Sequence, residues 1–378
     1  MIPNSYRGRE QSYIKHQFLT QYLQTAVYKI LQGRSLIFNF VDAFAGPWRV
    51  SDEDFSDASF HEALRTLEAV RTDLGENGIS GLKIRFCFCE RRATAIAHLR
   101  KYAEAHGSLE IHVFHGAFED HLDDIAAVCR DGFTFSFIDP TGWNIRSEPI
   151  LNFLKNRRGE FLLNFMAEHV NRHAEYSQVE ESFGRFLADP DWTDEFNALP
   201  PDWSNEQRVL NLLRRKIKTT GAAAYVPDFP ILKPREQRVK MRLLLGTHSA
   251  KGLEVFRDVQ EKIEKREIMT RNQLRSEGQR QVSLFTDDEI AALQQQAAGI
   301  GCPEYLREAE TRIVTRLSKV GSQAFSAIAT HVLEIIPIRL PQLKKLVNEM
   351  KDRRILTFDL LPGTRVPRKT TVISLLKS

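Results

Sequence analysis

Leu36-Ile-Phe-Asn-Phe-Val-Asp42, running into Ala43-Phe-Ala-Gly46-Pro47-Trp48, is the stretch that decides the fold. It is apolar apart from Asn39 until it ends on an acid. Two later stretches repeat the plan. Lys83-Ile-Arg-Phe-Cys-Phe-Cys-Glu90 leads into a helical pattern, and Phe133-Thr-Phe-Ser-Phe-Ile-Asp139 leads into Pro140-Thr-Gly142-Trp143. Runs this apolar are expected of parallel strands buried on both faces. In open α/β sheets the ligand lies outside the carboxyl ends of such strands. Asp42, Glu90 and Asp139 are therefore expected along one edge of one sheet, the layout of a nucleoside-cofactor site.

The spacing suits S-adenosylmethionine better than a dinucleotide. A dinucleotide site needs G-x-G-x-x-G after the first strand, so that a helix N-terminus meets the pyrophosphate. Only Gly46 falls in that turn. A cofactor without phosphate needs close backbone approach and carboxylates instead. Asp42 suits its sulfonium and ammonium end, Glu90 its ribose hydroxyls, and Phe44 and Gly46 the turn between. Each acid taken alone could equally end a strand or cap a helix.

Val41-Asp-Ala-Phe-Ala-Gly-Pro47, Asp139-Pro-Thr-Gly-Trp143, Leu244-Leu-Gly-Thr-His-Ser-Ala-Lys-Gly252 and the early Tyr13-Ile-Lys15-His16 resemble the signatures of the three-Cys-motif partner proteins. That bacterial family has a class I methyltransferase-like fold and is named for a neighbouring gene whose product carries three cysteines. The resemblance covers residues 10 to 265 best. It implies S-adenosylmethionine as cofactor, Lys15 and His16 at the cofactor edge, and a three-cysteine protein as partner. Where the family reads Gly-Pro-Gly, this chain has Gly46-Pro47-Trp48, and an indole there could narrow or close the cofactor site.

At 378 residues the chain has length for two domains and a sizeable core. The first residues lack an apolar h-region and no run approaches ~18 apolar residues, so neither a signal peptide nor a membrane span is expected. Cys87 and Cys89 alternate along one strand and share a face, which disfavours a disulfide between them. With Cys129 and Cys302 they show no metal-ligand spacing. Reduced, buried thiols in a cytoplasmic protein are the expectation.

Ser12 is placed as the N-cap of a leading helix carrying Ile14, Phe18, Tyr22 and Ala26. Asp52 to Asp57 reads as an acidic loop over the site. Further strands are expected at 109–114 and 160–166, and an antiparallel pair at 224–231 and 239–247. Five parallel strands closed by an antiparallel hairpin form a Rossmann-like class I methyltransferase sheet. Asp120, after the third strand, stands where a related fold contacts adenine, although Glu119-Asp120 could equally cap the next helix. Asn171 to His173 is expected near the same edge, and residues 175–220 as a helical surface excursion. The expected domains are 1–270, a linker with a helix over 271–303, and a winged-helix-like domain over 304–378. Thr286-Asp-Asp-Glu289 is a capping box within the linker.

From His331 to Ser378 there are ten Lys and Arg against four Asp and Glu, whereas the whole chain carries only +4. The tail reads helix (341–351), strand, basic loop, strand. That is the order of a winged helix, whose wing touches phosphate. Arg365, Arg368 and Lys369 are its candidate nucleic-acid contacts; such modules also dock proteins.

Asp139-Pro140-Thr141-Gly142-Trp143 is the sharpest chemical signal. In amino-methylating enzymes of this fold, Asp/Asn-Pro-Pro-aromatic turns accept from an exocyclic amine and stack on the flipped base. Asp139, Pro140 and Trp143 are accordingly the candidate catalytic residues of a methyltransferase acting on a base amine. The alternative is an inactive methyltransferase-like scaffold for a three-cysteine protein, with a nucleic-acid-binding tail.

Overall fold

The computed structural model describes residues 2–31, 36–46, 57–173, 179–276, 286–360 and 363–376. Pro47, Trp48 and most of the acidic loop lie outside these residues. The chain forms two compact units, Met1–His248 and Ser249–Ser378.

The first unit runs α1 (Glu10–Leu31), β1 (Ile37–Asp42), α2 (Ser59–Glu76), β2 (Lys83–Glu90), α3 (Ala93–Ala105), β3 (Glu110–His115), α4 (Leu122–Val128), β4 (Phe133–Ile138), α5 (Ser147–Lys155) and β5 (Gly159–Phe165). It continues with α6 (Ala167–His173), α7 (Glu180–Leu187), α8 (Trp192–Asn197), α9 (Asn205–Thr220), β6 (Asp228–Leu232) and β7 (Val239–Gly246). The sheet order is β3-β2-β1-β4-β5-β7-β6. The first five strands are mutually parallel, and β7 lies antiparallel between β5 and β6. This is the class I methyltransferase sheet, as the strand pattern predicts.

Alternation along the strands builds two cores. On one face Phe40 packs against Phe86 and Phe135 at centroid distances of 6.4 and 6.3 Å. Tyr22 of α1 lies 5.8 Å from Phe135, and Phe60 of α2 lies 5.4 Å from Phe88. On the other face Val41, Cys87, Cys89 and Ile138 join the buried side chains of α4, α5, α7 and α9. All four cysteines are free and buried, with Cys87 Sγ 3.9 Å from Cys129 Sγ. The 175–220 excursion is not only surface: Trp192 is 3% exposed and belongs to this second core. Ser12 does not cap α1, which begins at Glu10; the Glu10 carboxylate instead accepts from the Gly8 N–H at 2.9 Å.

The second unit holds α10 (Ala250–Ser276), α11 (Asp287–Ala298), α12 (Pro303–Val320), β8 (Gln323–Ala324), α13 (Phe325–Ile335), α14 (Leu340–Asp352), β9 (Leu356–Thr357) and β10 (Val372–Leu375). The unit boundary falls at 248/249 rather than near 270. The reason is visible in Arg257 of α10, fully buried, which donates to the carbonyls of Leu333 (2.8 Å) and Glu334 (3.1 Å). The polar stretch from Arg271 continues α10 to Ser276 instead of opening a linker. Thr286 and Glu289 form the expected capping box. Strands β8, β10 and β9 make a three-stranded antiparallel sheet. The element order from α12 onward is helix, strand, two helices, strand, loop, strand. Among the described residues no helix is long and apolar enough to cross a membrane.

Candidate functional site

Parallel β1, β2 and β4 end together, so the turns after them meet at one sheet edge. The turn after β1 is pinned to both neighbours: Ala43 N–H donates to Phe137 O and Ala45 N–H to Cys89 O, each at 2.9 Å. A cavity of about 1190 Å³ opens over this edge. Phe44, Gly46 and Glu90 line it together with Asp139 to Trp143, Asn164 and His169. Its size exceeds the ~300–1,000 Å³ usual for one small ligand. The cavity has room for more than one small ligand.

Glu90 is 7% exposed, and its Oε1 accepts from Arg92 N–H (2.6 Å) and Nε–H (3.2 Å). Its other oxygen lies against Gly46, so that any Cβ there would meet Oε2 at 1.5 Å. Gly46 is thus required by close approach. Only a residue without a side chain lets the Glu90 carboxylate reach over the β1 turn.

Asp139 is brought together with Lys15. The Lys15 ammonium, carried on α1 and 7% exposed, ion-pairs with Asp139 Oδ2. Asn164, near the end of β5, donates from Nδ2 to Asp139 Oδ1 at 2.6 Å. The same amide's oxygen is buried and has no hydrogen-bond partner among the described residues. His16 also lines the cavity and is 5% exposed, with Nδ1 2.9 Å from the Tyr6 hydroxyl. Burial, and then Lys15 beside it, holds its pKa well below the ordinary imidazole value, so the ring is neutral.

Asp42 departs from its expected role. It is fully buried and does not line the cavity. Its carboxylate accepts from Phe44 N–H (3.1 Å) and Ser59 Oγ–H (2.8 Å), tying the β1 turn to the start of α2. Burial pushes its pKa up to about 7, with the two hydrogen bonds opposing and Asp139 adding. Asp120 departs too. It is exposed outside the cavity and pairs with Arg146, while its neighbour Glu119 lines the cavity and accepts from Arg146 N–H at 2.8 Å.

Trp143 lines the cavity with one ring face already used. It stacks on Phe183 at 4.7 Å and 21°, and its Nε1–H donates to Ser182 Oγ at 2.9 Å. His169 meets it edge-on at 6.1 Å. This indole is anchored to the core. Pro140 lies beside Asp139 in the lining. Asn171 to His173 fall on α6, and their side chains are outside the described residues.

Asn164 and Arg9 are among the lining residues that escaped the sequence reading, whereas Asp57 belongs to the acidic stretch expected over the site. Asn164 sits inside the run read only as a strand, where a polar residue near a strand end was the available signal. Arg9 and Asp57 pair at 2.7 Å across the start of α1 and the start of α2, with Asp57 1% exposed. Nothing in either local sequence links them. In the second unit Arg365, Arg368 and Lys369 are all exposed on the loop between β9 and β10. Among the described residues no cluster of three or more His, Cys, Asp or Glu could hold a metal.

No protein-family model and no curated protein sequence matches the chain. Solved structures similar to it include a candidate methyltransferase, yhhF, of Escherichia coli (13% identity over 60% of this chain and 86% of that one, TM-score 0.27). Others are a candidate caffeoyl-CoA O-methyltransferase of Staphylococcus aureus (9%, 59% and 82%, TM-score 0.28) and a loganic acid methyltransferase with SAH (9%, 74% and 87%, TM-score 0.27). The fold itself is defined by the strand order and the antiparallel β7.

Proposed function

We propose that the first unit is an S-adenosylmethionine-dependent methyltransferase whose acceptor is an exocyclic amine of a nucleic-acid base. The observation that carries the reading is the close approach of Glu90 to Gly46 at the carboxyl edge, in a cavity that Asp139 also lines. The residues fit the cofactor. Glu90 supplies an acceptor for vicinal hydroxyls, Gly46 leaves backbone uncovered, and no phosphate-binding glycine fingerprint is present. When bound, the cofactor supplies an electrophilic methyl group.

The chain's own residues do the rest. Asp139, fixed by Lys15 and Asn164, accepts from the amine and holds its lone pair in a defined direction. Positioning of this kind supplies much of a transfer rate. Pro140 shapes the turn, and Trp143, braced on Phe183, walls the acceptor side. Neutral His16 offers a second polar group in the same cavity. The tail, by its element order and exposed Arg365, Arg368 and Lys369, is read as a winged-helix-like nucleic-acid-binding module.

The test is calorimetry with S-adenosylhomocysteine, followed by transfer of radioactive methyl to DNA, RNA and protein. Micromolar binding and labelled nucleic acid are expected. Label on protein alone would overturn the acceptor class. One observation favours a second reading, a scaffold for a three-cysteine protein in the bacterial cytoplasm: both acids already have protein partners, Asp139 in Lys15 and Asn164 and Glu90 in Arg92. Absence of cofactor binding would promote it.

A further inference from the structure

The hairpin between β6 and β7 carries cations that the cofactor site does not use. Its turn, Lys233-Pro-Arg-Glu-Gln-Arg238, is closed by Lys233 N–H donating to Arg238 O at 2.9 Å. In the antiparallel register Arg242 stands opposite Phe165, the last residue of β5. Residues 239–241 and the turn before them therefore run on past the carboxyl end of β5. That is the edge holding Asp139 and Asn164, and Met241 lines the cavity itself.

Glu168 of α6, one residue before cavity-lining His169, is 4% exposed. It pairs with Lys233 at 2.8 Å, with Arg238 at 3.2 Å, and with Lys240. These lysines hold its pKa near 2 against the cost of burial, so it stays ionised. Glu236 answers Lys233 and Arg238 a second time, from the turn. Arg235 is exposed and has no acidic partner among the described residues. Three cations thus share two carboxylates, and Arg235 stands exposed on the same turn. Packing like charges beside one another is unfavourable unless an anion joins them. The Arg238 side chain remains 57% exposed despite its contacts, so its guanidinium can reach a ligand.

We propose that the β6–β7 turn is a phosphodiester-binding rim, on which Arg235 and Arg238 seat the backbone of a single-stranded nucleic acid at the cavity mouth. Glu168 holds the cations in place without cancelling them. Guanidinium forks match phosphate oxygens two at a time. Placing them beside a deep cavity suits a chain that must insert one base, whereas an acidic protein surface would need no cavity. The proposal rests on the methyltransferase reading for the inserted base, though not for its charge.

The experiment uses the full chain and fluorescein-labelled single-stranded DNA and RNA 20-mers, read by anisotropy across a salt series. Arg235→Ala with Arg238→Ala leaves Lys233 and Lys240 on Glu168. It is made both alone and in a chain whose Arg365, Arg368 and Lys369 are alanine, so that the tail does not mask the rim. The expected result is an affinity loss of at least about tenfold, with the log–log salt slope shallower by about 1.4, at roughly 0.7 per phosphate released. Arg235→Lys with Arg238→Lys should recover most of the slope. Unchanged affinity and slope in variants with unchanged melting would overturn the rim, as would preferential binding of poly-glutamate. Calorimetry with S-adenosylhomocysteine separates the two ideas. A rim effect in a protein that binds no cofactor removes the methyltransferase reading and leaves the rim standing.

Discussion

The Glu90 carboxylate lies over Gly46 so closely that the glycine's missing side chain is part of the site: a Cβ would stand 1.5 Å from Oε2. Gly46→Ala must therefore push Glu90 off the β1 turn. The variant should fold, since the clash is with the end of a side chain, yet lose most of its affinity for S-adenosylhomocysteine. Glu90→Ala should weaken the same binding by about 1.5–3 kcal/mol, the range for a lost charge-assisted hydrogen bond. If calorimetry finds G46A binding as wild type does, the cofactor does not approach that turn.

Asp139 tests the acceptor side. Asp139→Ala should reduce methyl transfer by ~10²-fold or more while leaving cofactor affinity within a few-fold. The change also strands the buried Lys15 ammonium, which is itself destabilising. Asp139→Ala with Lys15→Met should recover the melting temperature but not the transfer. A double variant that regained activity would show that Asp139 merely neutralises Lys15.

Asp42 makes a pH prediction. Its folded pKa, raised to about 7 from an ordinary 3.8, means that the folded protein prefers the protonated carboxyl. The associated stability is fully present below about pH 4 and is lost as pH rises through 7, on the order of 4 kcal/mol over that interval. Asp42→Asn should flatten this decline, so that denaturant unfolding at pH 8 gives a more stable protein than wild type and at pH 4 does not. Because Asp42 lies beneath the cavity lining, S-adenosylhomocysteine affinity should stay within about twofold. A large affinity loss would return Asp42 to the cofactor.

The strand ends were legible because burial on both faces forces continuous apolar runs, and an acid at the end of such a run stands out. The sheet, its antiparallel β7, and the grouping of Glu90, Gly46 and Asp139 follow from that pattern. What the pattern hides is direction and distance. Asp42 has the same local sequence signature as Glu90, yet Ser59, seventeen positions on, turns it inward. Lys15 and Asn164 reach Asp139 from α1 and β5, and nothing near residue 139 announces either. The same limit moved the unit boundary: the polar look of 271–276 concealed a helix fastened by Arg257, whose partners lie 76 and 77 residues away.

Arg257 gives a stability prediction for the second unit. Its guanidinium satisfies two carbonyls in the last turn of α13 and bonds Gln260 Oε1 at 2.5 Å, all in a fully buried setting. Arg257→Met keeps the volume but leaves those carbonyls unpaired, at about 1–3 kcal/mol each. Hydrogen exchange should show faster opening of α13 amides, with β4 amides unaffected. Equal acceleration in both units would mean that the chain unfolds as a single block.

The tail carries the last prediction. Arg365, Arg368 and Lys369 project from the β9–β10 loop. The backbone there is held by Asn348 Nδ2–H donating to Arg365 O and by Arg368 N–H donating to Thr371 Oγ1, both at 2.9 Å. A loop anchored through its main chain leaves the three side chains free to meet phosphate. On duplex DNA each neutralised phosphate contributes about 0.9 to the log–log salt slope, so replacing all three by alanine should flatten it by roughly 2 to 3. Cofactor binding should be untouched, because none of the three lines the cavity. Retention of the full slope in the triple variant would assign the loop to protein docking instead of phosphate contact.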